Sequence, residues 1–232
     1  MALTKQDIAK AGLRLLNEVG LEGLTVRAIA EELGVKAPAL YWHLKNKQEL
    51  IDEVATQMYL AHIRPLPPAR QHDDWAERLA ERARAIRRTM LTYRDGAKLF
   101  SGTFFTDEAL PEEAALEEIA AAGYTPEQAL CVLSTVFHFV IGFTIEQQSI
   151  EPMPGERDAR YEEAAKRLRA RGGVIAGAVD ATMFGDFDEK FEHGLHLVLL
   201  GASTKKFRRG TGAAAAVTPA HAPKGKKLPT RR

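Results

Sequence analysis

Aromatic, histidine and lysine side chains near the N-terminus form a short run with the chemistry to bind DNA. Tyr41, Trp42 and His43 follow one another, with Lys36 before them and Lys47 after them. Tyrosine, histidine and lysine side chains donate hydrogen bonds to phosphate oxygens, which positions a protein on a duplex. Because the run is too short to bury much apolar surface, its aromatic pair is expected to be exposed. We predict that this run contacts DNA.

The residues around this run have the pattern of a helix-turn-helix. Thr25 is a good N-cap for a first helix, and Gly34 supplies the positive φ that a tight turn between helices requires. Pro38 suits the first turn of a second, short helix, whose Leu40 and Leu44 can be buried together. In this arrangement the second helix enters the major groove. The alternative is a plain three-helix lobe that displays an exposed aromatic pair.

The sequence lacks the patterns that mark enzyme active sites. It has no glycine-rich phosphate loop, no Gly-x-Ser-x-Gly elbow and no cluster of cysteines and histidines at metal-binding spacing. The adjacent acids at 112–113 and 162–163 fall on charged helices and are interpreted as solvated faces. Cys131, the single cysteine, lies in an apolar run and is predicted to be a small core residue. We therefore predict that the protein is not an enzyme.

Helices are the elements that must hold the DNA-binding run in place. Alanine, leucine, glutamate and arginine are abundant, and the long alternating patterns typical of strands are missing. The proline-rich stretch at 65–68 and the glycines Gly123 and Gly172 mark helix ends. We predict an all-α fold with further helices over residues 47–64, 74–93, 108–122, 126–149, 157–171 and 186–203.

Three regions are predicted along the chain. Residues 1–46 form a helix-turn-helix domain, residues 47–203 a helical bundle for effector binding and dimerisation, and residues 204–232 a basic, disordered tail. The tail carries nine basic residues and no acidic one, which leaves 23 basic against 31 acidic residues in the rest. It is either a solvated extension or a source of salt-dependent attraction to phosphates. Neither a signal peptide nor a membrane-spanning helix is expected, and the single cysteine fits a cytoplasmic protein.

Residues 24–47 resemble the DNA-binding domain of the TetR family, in which a helix-turn-helix of this length precedes a helical regulatory domain. Residues 93–98 and 146–148, together with Ser134, His138 and Gly142, are similar to segments of that regulatory domain. The resemblance is strong over residues 1–60, scattered but colinear to about residue 200, and absent from the tail.

The resemblance implies which side chains of the helix-turn-helix domain contact the DNA operator. Arg27 would donate two hydrogen bonds to a guanine edge, Tyr41 and His43 would bind phosphates, and Lys47 would neutralise one. Tetracycline-binding members read a base with a glutamine just before the proline, where this chain has Ala37, so its operator should differ. The predicted DNA-binding residues are Thr25, Arg27, Lys36, Ala37, Pro38, Ala39, Tyr41, Trp42, His43 and Lys47.

The resemblance also implies an effector pocket. Tetracycline-binding members take the drug as a magnesium chelate that one histidine coordinates, and the matching residue here is Phe100, which cannot ligate a metal. No metal or cofactor is therefore expected to be required, although a magnesium-chelated ligand stays an alternative. Other polar positions are also replaced, which predicts a pocket for a planar or hydrophobic molecule, such as an aromatic or polyketide-like one. The predicted effector-binding residues are Ile63, Arg82, Ile86, Phe100, Thr103, Phe104, Phe105, Val132, Thr135, His138, Phe139 and Glu146.

The function predicted from the residues and the resemblance together is that of a ligand-responsive transcriptional repressor. The apolar helices at 126–149 and 186–203 would join two subunits in a homodimer that binds a palindromic operator and releases it when the effector binds. Activation instead of repression stays open. The alternative function is that of a helical ligand-binding or protein-interaction dimer without specific DNA recognition.

Overall fold

The structure, a computed structural model, describes residues 3–62, 74–103 and 113–204. The described residues are helical and contain no strand, which confirms the predicted all-α fold. The helices of these ranges, in chain order, are α1 (Lys5–Gly23), α2 (Val26–Glu32), α3 (Ala37–Leu40), α4 (Lys47–His62), α5 (Trp75–Leu91), α6 (Gly96–Phe100), α7 (Glu113–Ala121), α8 (Pro126–Ile150), α9 (Ala159–Arg171), α10 (Gly173–Phe184) and α11 (Phe187–Ala202).

The first three helices pack with α4 into an N-terminal head. Thr4 caps α1 in a reciprocal capping box with Asp7, and Gly12 of α1 lets α4 approach closely. A Cβ atom on Gly12 would lie 2.6 Å from Cγ2 of Val54 in α4. The fully buried leucines Leu16, Leu24 and Leu40 fill the space between these helices. The head is thus one apolar cluster, and α4 continues it toward α5 and α6 of the bundle.

α8 is the central helix of the bundle and packs on α5, α6, α7 and α11. Its length and composition would also suit a membrane span, because residues 128–145 contain no Asp, Glu, Lys or Arg. The expectation of no membrane-spanning helix rested on the absence of any uncharged apolar stretch of about 18 residues, and that premise was wrong. Thr144, Gln147 and Gln148 near its end are buried and hydrogen-bonded, and its apolar side chains pack on four neighbouring helices, as in the core of a helical bundle.

Residues 173–184 form α10, a helix that the sequence pattern did not reveal. Gly172 ends α9 as predicted, and both Gly172 and Gly173 have positive φ. A second helix nevertheless begins at once, and it packs back on α9 as a hairpin. Val174 and Ile175 at the start of α10 are 92% and 65% exposed, so this hairpin displays apolar side chains near its turn.

The turn between α5 and α6 joins the bundle to the head. The backbone N–H of Arg94 donates to Oδ1 of Asn17 over 2.7 Å, and the backbone N–H of Leu21 donates to Oδ2 of Asp95 over 3.1 Å. Asp95 adopts a left-handed backbone conformation with φ of 56°, which is uncommon for a residue other than glycine. On the bundle side, the side chain of Gln148 donates to the Tyr93 carbonyl over 2.8 Å. The same amide accepts the backbone N–H of Ala97 over 2.9 Å.

We predict that Gly96→Ala destabilises the protein by about 1–3 kcal/mol. A Cβ atom at position 96 would lie 2.1 Å from the carbonyl oxygen of Met90, and backbone atoms cannot give way cheaply. Urea unfolding at one protein concentration measures the effect. The matched control is Gly177→Ala in α10, where a Cβ atom meets nothing within 4 Å and stability should stay equal or rise by up to about 1 kcal/mol. Equal stabilities of the two variants would contradict the prediction.

We predict that Asp95→Asn lowers the free energy of unfolding at pH 7 by about 1 kcal/mol. Burial opposes the charge of Asp95, but the hydrogen bonds from the Lys98 ammonium and the Leu21 amide prevail and lower the pKa of this carboxyl. A lowered pKa stabilises the folded state above the pKa of the unfolded chain, and this contribution disappears as the pH falls below about 4. Asparagine tolerates the left-handed conformation, so the backbone is retained.

The measurement for Asp95→Asn is urea unfolding of both proteins between pH 7 and pH 3.5. The difference in stability from the wild type should shrink as the pH falls. Glu18→Gln, on an exposed position of α1, is the control and should show no difference at either pH. A difference that stays constant over this range would show that the charge of Asp95 does not link the head to the bundle.

Candidate DNA-binding head and effector pocket

The helix-turn-helix has the cap, the turn glycine, the proline and the buried leucine pair at the positions that the sequence pattern predicts. Oγ1 of Thr25 accepts the backbone N–H of Ala28 over 3.1 Å and caps α2. Gly34 adopts a φ of +65° in the turn that follows α2. Pro38 lies in the first turn of α3, and Leu40 and Leu44 are both buried. α3 itself is a single helical turn, and the residues behind it continue as turns up to α4.

The side chains predicted to meet DNA form an exposed surface around α3. Trp42 and Tyr41 are 89% and 59% exposed, although both are large aromatic residues that a stable core would normally bury. The partly buried members of the predicted set are Ala37, Ala39 and His43, and the exposed ones are Thr25, Arg27, Lys36, Pro38, Tyr41, Trp42 and Lys47.

Arg27 lies on α2 beside this surface. Its side chain is 86% exposed, and its Nε donates to Oε1 of Glu31 over 3.2 Å, one helical turn away. An exposed pair of this kind contributes little free energy and is readily exchanged for another partner. The guanidinium is therefore accessible to a base edge or a phosphate.

A hydrogen-bonded network that the sequence analysis missed supports the turn behind α3. Oε2 of Glu49 accepts the backbone N–H of Lys45 over 2.6 Å, and its Oε1 accepts Nζ of Lys5 over 2.7 Å. The hydrogen bond to Lys5 lowers the pKa of Glu49 and raises the pKa of Lys5. Asn46 caps the start of α4 by accepting the backbone N–H of Glu49. The pair of residues 5 and 49 is too distant in sequence for a local pattern to reveal it.

The bundle contains a cavity of about 480 Å³ between α4, α5, α7 and α8. Among the described residues that line it, the wall is apolar except for Tyr59, Arg82 and Ser134. Cavities of this size and character are typical binding sites for small organic molecules. The apolar lining residues are Leu79, Ala83, Ile86, Ala115, Leu116, Leu130, Leu133, Val136, Phe137 and Val140.

Only part of the predicted effector set lines this cavity. Arg82 and Ile86 do. Phe100 and Val132 are buried in the core away from the cavity wall, and Thr103 hydrogen-bonds the carbonyl of Leu99. Ile63, Phe104 and Phe105 lie outside the described residues.

The remaining predicted residues belong to other faces of α8. Thr135 and His138 are exposed, because they stand roughly half a helical turn away from the cavity-lining Leu133 and Phe137. Cys131 shares the exposed face, so its prediction as a core residue was wrong within this chain. The resemblance correctly indicated that α8 contributes to the cavity wall. Which residues of α8 point toward the cavity, however, depends on how the helix packs against its neighbours.

Phe139 and Glu146 line a second groove, of about 440 Å³, between α8, α9, α10 and α11. Beside it Arg87 is buried to 6% exposure, with its guanidinium 4.8 Å from the ring centroid of Phe191. Arg87 donates to Oε1 of Gln147 over 2.9 Å and to Oδ1 of Asp188 over 2.6 Å. A single buried cation thus ties α5, α8 and α11 together. Nothing in the sequence distinguished it from the other arginines of α5.

The described ranges contain no group of three His, Cys, Asp or Glu side chains close enough to hold a metal ion. Phe100 has no donor atom and is 1% exposed, while His138 and Glu146 are both exposed on α8. Within the described ranges, the residues therefore do not supply the ligand set that the resemblance implies for a magnesium chelate.

The comparisons with known proteins cover both parts of the chain. Residues 8–54 match the family model of bacterial regulatory proteins of the tetR family, and residues 67–205 match the tetracyclin repressor-like C-terminal domain. The chain is 35% identical over 206 residues to the class A tetracycline repressor of Escherichia coli. This alignment covers 88% of this chain and 92% of the relative. It is 41% identical over 149 residues to the class G repressor of Vibrio anguillarum, over 63% of this chain and 70% of the relative.

Solved structures show the same fold. A TetR variant from Acinetobacter baumannii AYE in complex with minocycline superposes with a TM-score of 0.74 at 33% identity, over 92% of this chain and 98% of that one. A possible TetR family regulator from Streptomyces coelicolor A3(2) superposes with a TM-score of 0.72 at 31% identity, over 85% of this chain and 97% of that one. The relatives are regulators, which confirms the prediction of a DNA-binding repressor that is not an enzyme. The chain belongs to the TetR family of bacterial transcriptional regulators.

Proposed function

We propose that this repressor binds a palindromic operator as a homodimer and releases it when an apolar, ring-containing molecule enters the cavity between α4, α5, α7 and α8. The observation that carries the proposal is the path along α5. Ile86 lines the cavity, and the turn at the end of the same helix holds the head through Arg94 and Asp95. A molecule in the cavity therefore contacts α5, and the turn at the end of α5 positions the N-terminal head.

The exposed side chains around α3 would contact the operator. Arg27 donates to a guanine edge, Tyr41 and His43 bind phosphates, and Lys47 neutralises a phosphate at the start of α4. Ala37 cannot make a bidentate contact with a base, although its methyl group can touch a thymine methyl. The preferred sequence would then differ from that of family members that carry glutamine at this position.

The exposed face of α8 and α11 supports dimerisation. Leu197 and Leu200 of α11 are each 56% exposed, and Cys131 and His138 are exposed along α8. Covering this face with the same face of a second copy removes the apolar side chains from water and creates a two-fold axis. Two heads related by that axis can reach successive major grooves about 34–36 Å apart, which requires a palindromic operator.

Release of DNA requires that the effector bind the non-DNA-binding arrangement more tightly than the DNA-binding one. A relative of the same fold was solved in complex with minocycline, which supports a small-molecule site in this fold. Here the site would take a ligand without a magnesium chelate, because the described residues of its wall include no His, Cys, Asp or Glu that could coordinate a metal. A repressor of this kind acts on chromosomal or plasmid DNA in the cytoplasm. The basic residues 205–232 lie outside the described ranges, and a role for them in phosphate attraction stays a prediction.

We predict that Arg27→Ala weakens specific binding to the operator roughly ten- to hundredfold and relaxes the base preference at one position. A gel shift on the DNA upstream of the protein's own gene, followed by selection from random sequences, measures both effects. Arg160→Ala removes an equally exposed arginine from α9 and should leave affinity unchanged. Equal affinities of the wild type and Arg27→Ala would remove Arg27 from the DNA contacts. Absence of any specific shift by the wild type would favour a dimer without DNA recognition.

We predict that Ile86→Trp abolishes release by the effector while operator binding persists. The indole would occupy part of the cavity of about 480 Å³, so a ligand could no longer enter. The measurement is the same gel shift with a panel of aromatic compounds that includes tetracycline with magnesium. Val174→Trp adds the same ring to a 92% exposed position on α10 and should respond like the wild type. A normal response of Ile86→Trp would place the effector elsewhere.

A further inference from the structure

Glu31 is an acidic residue beside the DNA-binding surface for which the stability of the head gives no reason. It lies in the last turn of α2, where the partial negative charge of the helix C-terminus opposes an acid. Its side chain is 69% exposed, and it follows its partner Arg27 by four residues, which is the less favourable order for a pair within one helix. The phosphates of a nearby duplex would also repel its charge. Each of these effects acts against a carboxylate at this position.

The next residue, Glu32, shows what an acid in this turn can do for the fold. Its Oε1 accepts Nε of Arg14 over 3.1 Å, and this contact joins α2 to α1. Glu31 makes no such contact, because Arg27 of the same helix is its one ion-pair partner among the described residues. The two neighbouring acids therefore carry the same charge in different settings. Glu32 connects two helices, whereas Glu31 contacts the side chain that the proposed function directs to a base.

The contact between Glu31 and Arg27 uses only part of the guanidinium. Nε of Arg27 donates to Oε1 of Glu31 over 3.2 Å, whereas its two Nη nitrogens donate no hydrogen bond to any residue that the structure describes. An arginine binds guanine by directing two N–H groups at O6 and N7. The two Nη nitrogens form such a fork, and the contact with the carboxylate restricts the plane in which the fork lies. Glu31 thus leaves free the donors that a guanine edge requires.

The backbone beneath this pair is held by the core of the head. Ile29 and Ala30 lie between the two residues in the sequence, and both are buried. The carbonyl of Glu31 accepts the backbone N–H of Gly34 over 3.1 Å, at the start of the turn that leads to α3. The Cβ atoms of the pair therefore have defined positions, and only the side chains have to rotate for the contact to form or break.

We propose that Glu31 is a positioning residue that makes Arg27 selective for guanine. The inference rests on the proposed function, in which Arg27 contacts a base of the operator. With Nε bound to Glu31, the two Nη groups contact O6 and N7 of guanine, and the exclusion of water from the groove strengthens these hydrogen bonds. At a nonspecific site the same carboxylate repels the phosphates and weakens binding where no guanine is present. Both effects raise the specificity of the head.

Competition binding with the full-length protein tests this inference. Selection from random sequences with the wild type gives the operator, and the position at which Arg27→Ala loses its preference identifies the guanine. Duplexes with each of the four bases at this position, in both half-sites, are then compared with nonspecific DNA at one salt concentration. We expect Glu31→Ala to lower the preference for guanine roughly tenfold and to raise the affinity for nonspecific DNA roughly threefold or more.

Three further variants separate positioning from charge. Glu31→Gln keeps an acceptor oxygen for Nε but loses the charge, so it should keep most of the preference for guanine while nonspecific binding tightens as in Glu31→Ala. Glu32→Gln removes the same charge one residue away and should leave the preference for guanine unchanged. The double variant of Arg27→Ala and Glu31→Ala should have the same preference at this position as Arg27→Ala alone. Thermal unfolding verifies that each variant is folded.

Three results would overturn the inference, and they differ in what they imply for the proposed function. If Arg27→Ala loses the preference for guanine while Glu31→Ala keeps it, Glu31 does not position Arg27, and the guanine contact itself stands. If Glu31→Ala changes the preference at another position instead, Glu31 reads a base directly, and the guanine contact again stands. If Arg27→Ala keeps every base preference of the wild type, Arg27 contacts no base, and this contact of the proposed function fails together with the inference.

Discussion

The side-chain amide of Gln148 is the contact on which the arrangement of head and bundle depends. It donates to the carbonyls of Met90 and Tyr93 and accepts the backbone N–H of Ala97. All three groups belong to the turn between α5 and α6. This turn leaves several backbone groups without helical partners, and burying them unpaired would be costly. The amide satisfies them from α8 and fixes the turn. On its opposite side the same turn holds α1.

The turn between α5 and α6 is therefore hydrogen-bonded to both α8 and α1, and the two attachments differ in strength. Its attachment to α8 is buried, and its attachment to α1 runs through Asn17 and Asp95, of which Asn17 is exposed. Hydrogen bonds that water can replace are weaker in net terms than buried ones. In the proposed mechanism, a displacement of α5 would therefore move the head relative to the bundle, because the attachment of the turn to the bundle is the firmer of the two.

The head could be read from the sequence because its signals are local. A capping threonine, a glycine in the turn and a leucine pair four residues apart each act within one or two helical turns, and the structure has all three as predicted. The cavity could not be read in this way. Whether Leu133 or Thr135 faces α5 depends on the rotation of α8 about its axis, which its neighbours determine. The left-handed Asp95 and the buried Arg87 likewise acquire their roles only through residues that are far away in the sequence.

α8 carries two separable tasks on one helix. Leu133, Phe137 and Val140 line the cavity, whereas Cys131, Thr135 and His138 lie on the exposed face. Because the two sets are offset by two residues, or about 200° around the axis, a substitution in one set does not alter the shape of the other. Ligand preference can therefore diverge during evolution without a compensating change on the exposed face of α8. One backbone fold can therefore carry binding sites for many different ligands while the exposed face of α8 stays the same.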